Sequence, residues 1–390
     1  MLRDALRRAL QVRALEFRAR HFADPADRLH FLRGKVARIS DGAGGRREAT
    51  QFRQACLRHI RRGCVTAVTL LVAFENTETT LVVPRKPKAK QPTGQIRLVQ
   101  TTPQFDLYSN GLRVEEQYAT STAPRRYLIF PAHHAGPIGL GAQWRSEPAG
   151  IVFHTTESHM APFEESENRS LRRAGEGLLA YVSRRRSYHF IIDRFGRVFR
   201  IVRESDYANH SGNSVWADRY WVYINLNQSF LGIAFEAHSR PSSAEPSVNA
   251  AQIYAGRILT DMLRSFYGIP ASNCVAHAQV SVNPSNYGVG YHMDWAAHLP
   301  FSQLGLPNNY TLALPSVTLF GFAADPAQIE INAGGAPQGM SQGWEASVAE
   351  VRREAAARDI PLEDYRKQLQ KRYRDAIQAL RGNGAYQEYN

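Results

Sequence analysis

Apolar residues along this chain follow first one rhythm and then another. Over residues 1–62 the period is helical. Leu2, Leu6, Leu10, Ala14 and Phe17 fall at spacings of three and four, with arginines around the rest of the turn. Asp24-Pro25 supplies a cap and first-turn pair for a second helix through Leu29, Phe31 and Val36. From Cys64 to Val83 the pattern turns β-like, with Val65, Val68, Leu70, Val72 and Phe74 before a turn at Asn76. The stretch 84–92 then carries three prolines and four cations, the composition of an exposed linker. Short extended runs continue from Ile96 to Phe130, with a turn at Ser109-Asn110-Gly111.

Between 151 and about 305 strands alternate with helical patterns. Ile151-Val152-Phe153 has the composition of a buried strand and runs directly into His154, Thr155, Thr156 and Glu157. Ser170 to Val182 reads as a helix with Leu171, Ala174, Leu178, Leu179 and Val182 on one side. Tyr188–Ile192, the turn Asp193-Arg194-Phe195-Gly196 and Val198–Val202 read as a hairpin. Leu231–Glu236 is another strand. Ser247 is placed to cap a helix that carries Tyr254, Ile258, Met262 and Phe266 and stops at Gly268 and Pro270. After 305 a Pro/Gly-rich passage leads to a single amphipathic helix over about 344–381, in which Tyr365, Leu369, Tyr373, Ala376 and Leu380 repeat at helical spacing. The organisation expected is an Arg-rich helical and β-containing region over 1–145, a central domain over 146–306, and a linker with a C-terminal helix over 307–390. The order of elements in the central part predicts the α/β class, a mixed β-sheet flanked by helices.

Composition narrows the functional classes only slightly. The 390 residues are 43% apolar and 21% charged, ordinary for a globular protein, and no run reaches the length of a membrane span. Met1–Arg8 lacks the apolar core of a secretory signal, which leaves the compartment open. Three scattered cysteines form neither a disulfide framework nor a cysteine zinc site. The net charge of +13, with eleven Arg and one Lys against six acids in the first fifty residues, suits an anionic partner. No nucleic-acid motif accompanies it.

The chemistry centres on His154 at a strand end, His277 just after the β-like Val275-Ala276, and Asp294. Asp294 follows a loop rich in Asn, Pro, Ser and Gly that can fold back on His277. Two neutral imidazoles and one carboxylate are the ligand set of a catalytic zinc that keeps a position for water. His189 and His210 are expected to be structural or substrate-lining, and His133-His134 to be solvent-exposed. His159, His238 and His298 are weaker stand-ins as ligands.

Four patches and a closing one, in order, give the region a resemblance. They are Ile151–Thr156, the hairpin Tyr188–Val198, Asn209-His210-Ser211-Gly212, Leu231-Gly232-Ile233, and Val275–Val280 through His292-Met293-Asp294 to Phe301. Together they resemble the zinc-dependent N-acetylmuramoyl-L-alanine amidases of the type-2 amidase and peptidoglycan-recognition superfamily, over about 151–301. The resemblance implies His154, His277 and Asp294 as zinc ligands and Glu236 as general base. The family's Glu usually stands where this chain has Ala234; Glu236, two residues further on, keeps the same strand face. Tyr188 matches a tyrosine that contributes to the site, and His292 stands in for a lysine that stabilises the oxyanion.

The implied activity is hydrolysis of the amide between N-acetylmuramic acid and L-alanine, on peptidoglycan or a muropeptide, acting at the cell envelope or outside the cell. The basic N-terminal region is a candidate contact for anionic wall polymer, and nucleic acid is not an expected partner. The alternative is a peptidoglycan-binding protein of the same fold without catalysis.

Overall fold

Ile151-Val152-Phe153 is fully buried in a strand that is paired on both sides. The computed structural model describes residues 96–132, 137–239, 248–324 and 339–386. The chain separates into two units, 1–90 and 91–390, and every described residue belongs to the second. The N-terminal helices, the β-like stretch 64–83, His133-His134 and Ser247 therefore lie outside the described residues.

The strands, in chain order, are β1 (Leu98–Thr101), β2 (Phe105–Tyr108), β3 (Arg113–Glu115), β4 (Tyr127–Pro131), β5 (Gln143–Arg145) and β6 (Gly150–Thr155). They continue as β7 (Phe190–Ile192), β8 (Val198–Arg200), β9 (Val215–Ala217), β10 (Trp221–Ile224), β11 (Phe230–Phe235) and β12 (Cys274–Ala276). The long helices are α1 (Asn168–Arg185), α2 (Ala250–Tyr267), α3 (Ser341–Ala357) and α4 (Leu362–Gly382).

Eight strands form one mixed sheet in the order β1-β2-β3-β8-β7-β11-β6-β12. β6 pairs in parallel with β11 on one side and β12 on the other, and both its faces pack into core, Ile151 and Phe153 in one cluster and Val152 in another, so all six residues are buried. That arrangement explains why the strand is a continuous apolar run rather than an alternating one. Ile151, Phe153, Leu231, Ile233 and Phe235 face the Leu259, Met262 and Leu263 side of α2. On the opposite face Leu179 and Val182 of α1 cover Ile191, Phe199 and Ala234. Four strands, β5-β4-β10-β9, form a second sheet.

Local signals account for most boundaries. The β7–β8 turn closes on Asp193, whose Oδ1 accepts from the N–H of Phe195 and of Arg197 at 3.0 and 2.8 Å, with Gly196 at φ +77°. At the start of α2 the cap is Asn249, in a reciprocal capping box with Gln252, and Gly268 ends the helix in the left-handed conformation.

Two departures from the sequence expectation have physical causes. Strands β1 to β3, from the region placed before the central domain, extend the main sheet, and β3 pairs in parallel with β8. A buried Arg200 holds them there. It donates to Asp106 at 2.9 Å, to the Tyr108 hydroxyl at 3.1 Å, to both oxygens of Glu204, and to Glu116. The single C-terminal helix expected over 344–381 is instead two. Asp359 at φ +53° and Pro361, whose ring cannot continue a helix, separate α3 from α4. Leu369, Tyr373, Ala376 and Leu380 of α4 are buried in the same core cluster as Phe320 and Phe322. Among the described residues no helix is long and apolar enough to cross a membrane.

Candidate metal centre

The parallel register sets the first two side chains. Phe153 pairs with Ile233 and with Ala276, so His154 leaves the C-terminal end of β6 beside the position where β12 ends and His277 begins a single helical turn. The C-terminal ends of parallel strands are where open α/β sheets build sites. The two imidazole centroids are 4.4 Å apart.

Asp294 comes back to them because residues 281–292 fold as a small hairpin on Ser281. The Ser281 carbonyl accepts from Gly290 at 2.8 Å and its hydroxyl from the His292 N–H at 2.9 Å. The Ala278 N–H then donates to the Asp294 carbonyl at 3.2 Å. As a result Asp294 Oδ1 lies 2.7 Å from His277 Nδ1, and Oδ2 lies 3.1 Å from His154 Nδ1. One donor atom from each of the three falls within 4.8 Å of the others.

Their charge states suit a cation. Burial, and next the His277 imidazole, push His154 down to about 4, so it is neutral near pH 7. Burial alone would raise Asp294; the imidazole of His277 and the hydrogen bonds from both histidines outweigh it and hold the carboxyl well below the usual range. Two imidazoles and one carboxylate are a donor set that fits zinc.

Tyr188 is brought to the same place. Its backbone is left-handed (φ +64°) and its ring lies 5.1 Å from that of His154. Burial first, then the charges of Asp294 and Glu157, keep the phenol protonated well above its usual range. His292 stacks on His277 at 5.0 Å and 16°, with an edge left exposed. Burial of its other face and the His277 charge lower it to about 4, so near pH 7 it presents a neutral N–H.

Glu236 is not brought to the trio. β11 ends at Phe235, and the Glu236 N–H continues the ladder to the Ile192 carbonyl at 2.9 Å, which carries the residue toward the β7–β8 turn. There its Oε2 accepts from the Arg194 N–H at 3.1 Å. The side chain lines a 190 Å³ cavity with Asp193, Arg194, Arg197 and Arg172, under α1. Burial raises its pKa, and its charged neighbours are Asp193, Arg194 and Arg197. Strand alternation gave its face correctly, but the residue beside His154 in the register is Ala234.

A carboxylate that the sequence reading passed over is Glu157. It has φ +49° and accepts at Oε1 from Thr155 Oγ1 at 2.5 Å and from the Ser239 N–H at 2.6 Å. Its place in Thr155-Thr156-Glu157, three residues after His154, was the available signal. His189 and His210 are buried behind the trio. His159 and His298 are exposed, and His238 is engaged with the Ser158 carbonyl at 2.7 Å.

Comparison with known proteins adds a family. Residues 144–287 match the family model of the N-acetylmuramoyl-L-alanine amidases, which bears out the resemblance over that range. No curated protein matches the chain. Among solved structures, AmpDh3 from Pseudomonas aeruginosa in complex with anhydromuramic pentapeptide is 22% identical, with a TM-score of 0.31, over 40% of this chain and 58% of that one. AmiD from E. coli, in complex with anhydro-N-acetylmuramic acid-L-Ala-D-gamma-Glu-L-Lys, is 22% identical with a TM-score of 0.31, over 45% of this chain and 59% of that one. The Drosophila peptidoglycan recognition protein SD is 17% identical with a TM-score of 0.25, over 35% and 73%. This chain thus spans less than two thirds of the length of the first and second of these.

Proposed function

We infer that residues 144–287, a domain of the N-acetylmuramoyl-L-alanine amidase family, work with Asp294 to hydrolyse the amide between the lactyl group of N-acetylmuramic acid and L-alanine of the stem peptide. The observation that carries this reading is the convergence of His154, His277 and Asp294 donor atoms within 4.8 Å at the C-terminal ends of β6 and β12. A zinc ion held by these three would supply Lewis-acid activation of the scissile carbonyl and of the attacking water.

The chain's own residues do the rest. Neutral His154 and ionised Asp294 need no proton loss near pH 7 before they ligate. Tyr188, protonated and fixed against His154, donates its O–H to the oxygen on which negative charge develops. His292 adds a neutral N–H from the rim. Proton transfer to the leaving amine falls to Glu157, which shares the strand end with His154, and not to Glu236 in its turn. The basic N-terminal region is the proposed contact with anionic wall polymer.

Zinc stoichiometry by elemental analysis, measured beside release of free stem peptide from purified wall, tests the reading. The wild type should hold one ion and release peptide; His154→Ala, His277→Ala and Asp294→Ala should lose both. A wild type without metal ends the proposal. A second reading, a muropeptide binder without catalysis, is favoured by one observation, the alanine that stands beside His154 in the β11 register. It predicts bound metal and no peptide release.

A further inference from the structure

The geometry points to the buried turn Asn309-Tyr310 as a clamp that holds the His277 turn and the Asp294 segment at a fixed separation, with both residues as positioning residues of the metal centre. This deepens the metal reading above and rests on it. The clamp comes from outside the matched span, since the family model ends at residue 287, before Asp294 itself.

The backbone beside Asp294 needs holding. Trp295, the next residue, has φ +58°, a left-handed conformation that a bulky aromatic seldom adopts and that persists only where its surroundings impose it. Two residues of the C-terminal region do so. The Tyr310 hydroxyl donates to the Trp295 carbonyl at 2.6 Å and itself accepts from the Leu299 N–H at 3.2 Å. The Met340 N–H donates to the Ala296 carbonyl at 2.9 Å. The Trp295 ring is buried edge-on against Phe235 of β11, with centroids 5.9 Å apart at 86°.

Asn309 reaches the His277 side. It is buried, and its Nδ2 donates to the carbonyls of Ala271 and Cys274 at 2.6 and 2.8 Å, so it grips β12 where that strand starts. The Asn309 carbonyl accepts from Gln279 Nε2 at 2.9 Å, and Gln279 Oε1 accepts from the Ala276 N–H at 3.0 Å. These bonds bracket His277 on both sides in the chain. One residue of the turn thus fixes the strand that delivers the imidazole, and its neighbour fixes the carbonyl next to the carboxylate.

Helix α3 seats the clamp. A Cβ on Gly343 would stand 2.8 Å from the Tyr310 carbonyl and 2.3 Å from that of Leu312, so the helix lies directly on the backbone of the turn. Asn308 caps the turn, accepting at Oδ1 from the Tyr310 N–H at 3.2 Å. A metal centre works only when its ligands are held within about 0.5 Å of their places, and that precision comes from the groups behind them. The C-terminal helices therefore belong to the frame of the metal centre.

Tyr310→Phe keeps the ring and removes the bond to Trp295. Its zinc affinity, by competition with a chromogenic chelator, should fall about 10- to 100-fold. In metal-free protein, deuterium uptake over residues 293–299, read by mass spectrometry, should be faster than in the wild type. Tyr127→Phe is the control for a merely structural loss: it deletes another buried phenol hydroxyl bonded to a carbonyl at 2.6 Å, that of Glu147, in the second sheet. It should leave both readouts within about twofold of the wild type. A folded Tyr310→Phe with wild-type zinc affinity overturns the inference, as does one whose uptake over 293–299 changes no more than that of Tyr127→Phe. If Tyr310→Phe does not fold, Gln279→Met, which frees the turn from the His277 side, decides: the same loss of zinc affinity supports the clamp and an unchanged affinity overturns it. Faster uptake in Tyr310→Phe beside a wild type that binds no zinc would support the clamp on Asp294 while defeating the proposed function.

Discussion

Glu236 accepts a hydrogen bond from the backbone N–H of Arg194 at 3.1 Å, and that contact separates it from the metal trio. The Arg194 side chain reinforces the separation: its Cζ lies 4.0 Å over the Phe163 ring and its Nη1 donates to the Ala161 carbonyl. The turn that holds Glu236 is thereby tied to the loop after β6.

The first prediction follows. Glu157→Gln should lower kcat for stem-peptide release by about 10²-fold or more, the range of a positioned acid–base group, while Glu236→Gln should stay within about threefold of wild type. Chromatographic assay of peptide released from a soluble muropeptide checks both. Equal losses in the two variants, or a loss confined to Glu236→Gln, would return the proton-carrying role to the turn.

Why the strand pattern misled on Glu236 is a matter of what alternation encodes. A period of two gives the face of a sheet and says nothing of which neighbour the next residue meets once the ladder ends. By contrast His154 and the Asp193–Gly196 turn were legible because local composition decides them. Apolar covering on both faces makes Ile-Val-Phe a central strand, and an Asp that accepts two backbone N–H groups makes a tight turn. Asp294 was legible through its loop, whose fold-back is tied by hydrogen bonds to Ser281. The attachment of β1 to β3 was not, because it depends on Arg200 meeting Asp106 and Glu116 across more than eighty residues. The break between α3 and α4 was available in Pro361, but the helical spacing of Tyr365 to Leu380 obscured it.

Gly232→Ala should be costly. With a Cβ 2.6 Å from His210 Cγ, either ring or strand must shift, and overpacking of a buried site costs about 1–3 kcal/mol. Gly177→Ala, on α1 with open space around it, should instead stabilise by about 0.5–1 kcal/mol. Urea unfolding of the two variants in chelator measures both. If both substitutions move stability the same way, the cramped seat of His210 is not real.

Acid should weaken the fold through His189. Burial, and next the Arg125 guanidinium at 2.8 Å, hold its pKa well below the ordinary 6.5, and its Nδ1 accepts from the Gly232 N–H at 2.9 Å. The folded protein therefore stays unprotonated there while the unfolded chain takes up a proton as pH falls below about 6.5. Stability is unaffected above that pH. Below it, this one group contributes a loss of up to about 1.4 kcal/mol per pH unit. His189→Asn keeps an acceptor for Gly232 and cannot titrate, so its stability should fall less steeply between pH 6.5 and 5 than that of the wild type. His154 and His210, also depressed, contribute to the slope that remains. Urea midpoints across this range test the difference; parallel slopes would exclude His189 as a source.

Arg200 carries the largest stability prediction. Its side chain is 5% exposed and forks onto both oxygens of Glu204 at 2.8 and 2.9 Å while also reaching Asp106 and Glu116. Removing one member of a buried ionic cluster leaves the others charged and desolvated, typically about 3–5 kcal/mol for a pair. Arg200→Leu should lose at least that much, because three carboxylates are left without their partner. Arg200→Lys keeps the charge but not the planar fork and should lose less. The damage should begin where the cluster holds β1 to β3 against β8, so protease cleavage within residues 96–116 should precede global unfolding in Arg200→Leu. Denaturant unfolding and limited proteolysis with mass mapping check this; an Arg200→Leu protein within about 1 kcal/mol of wild type would mean that the cluster does not anchor these strands.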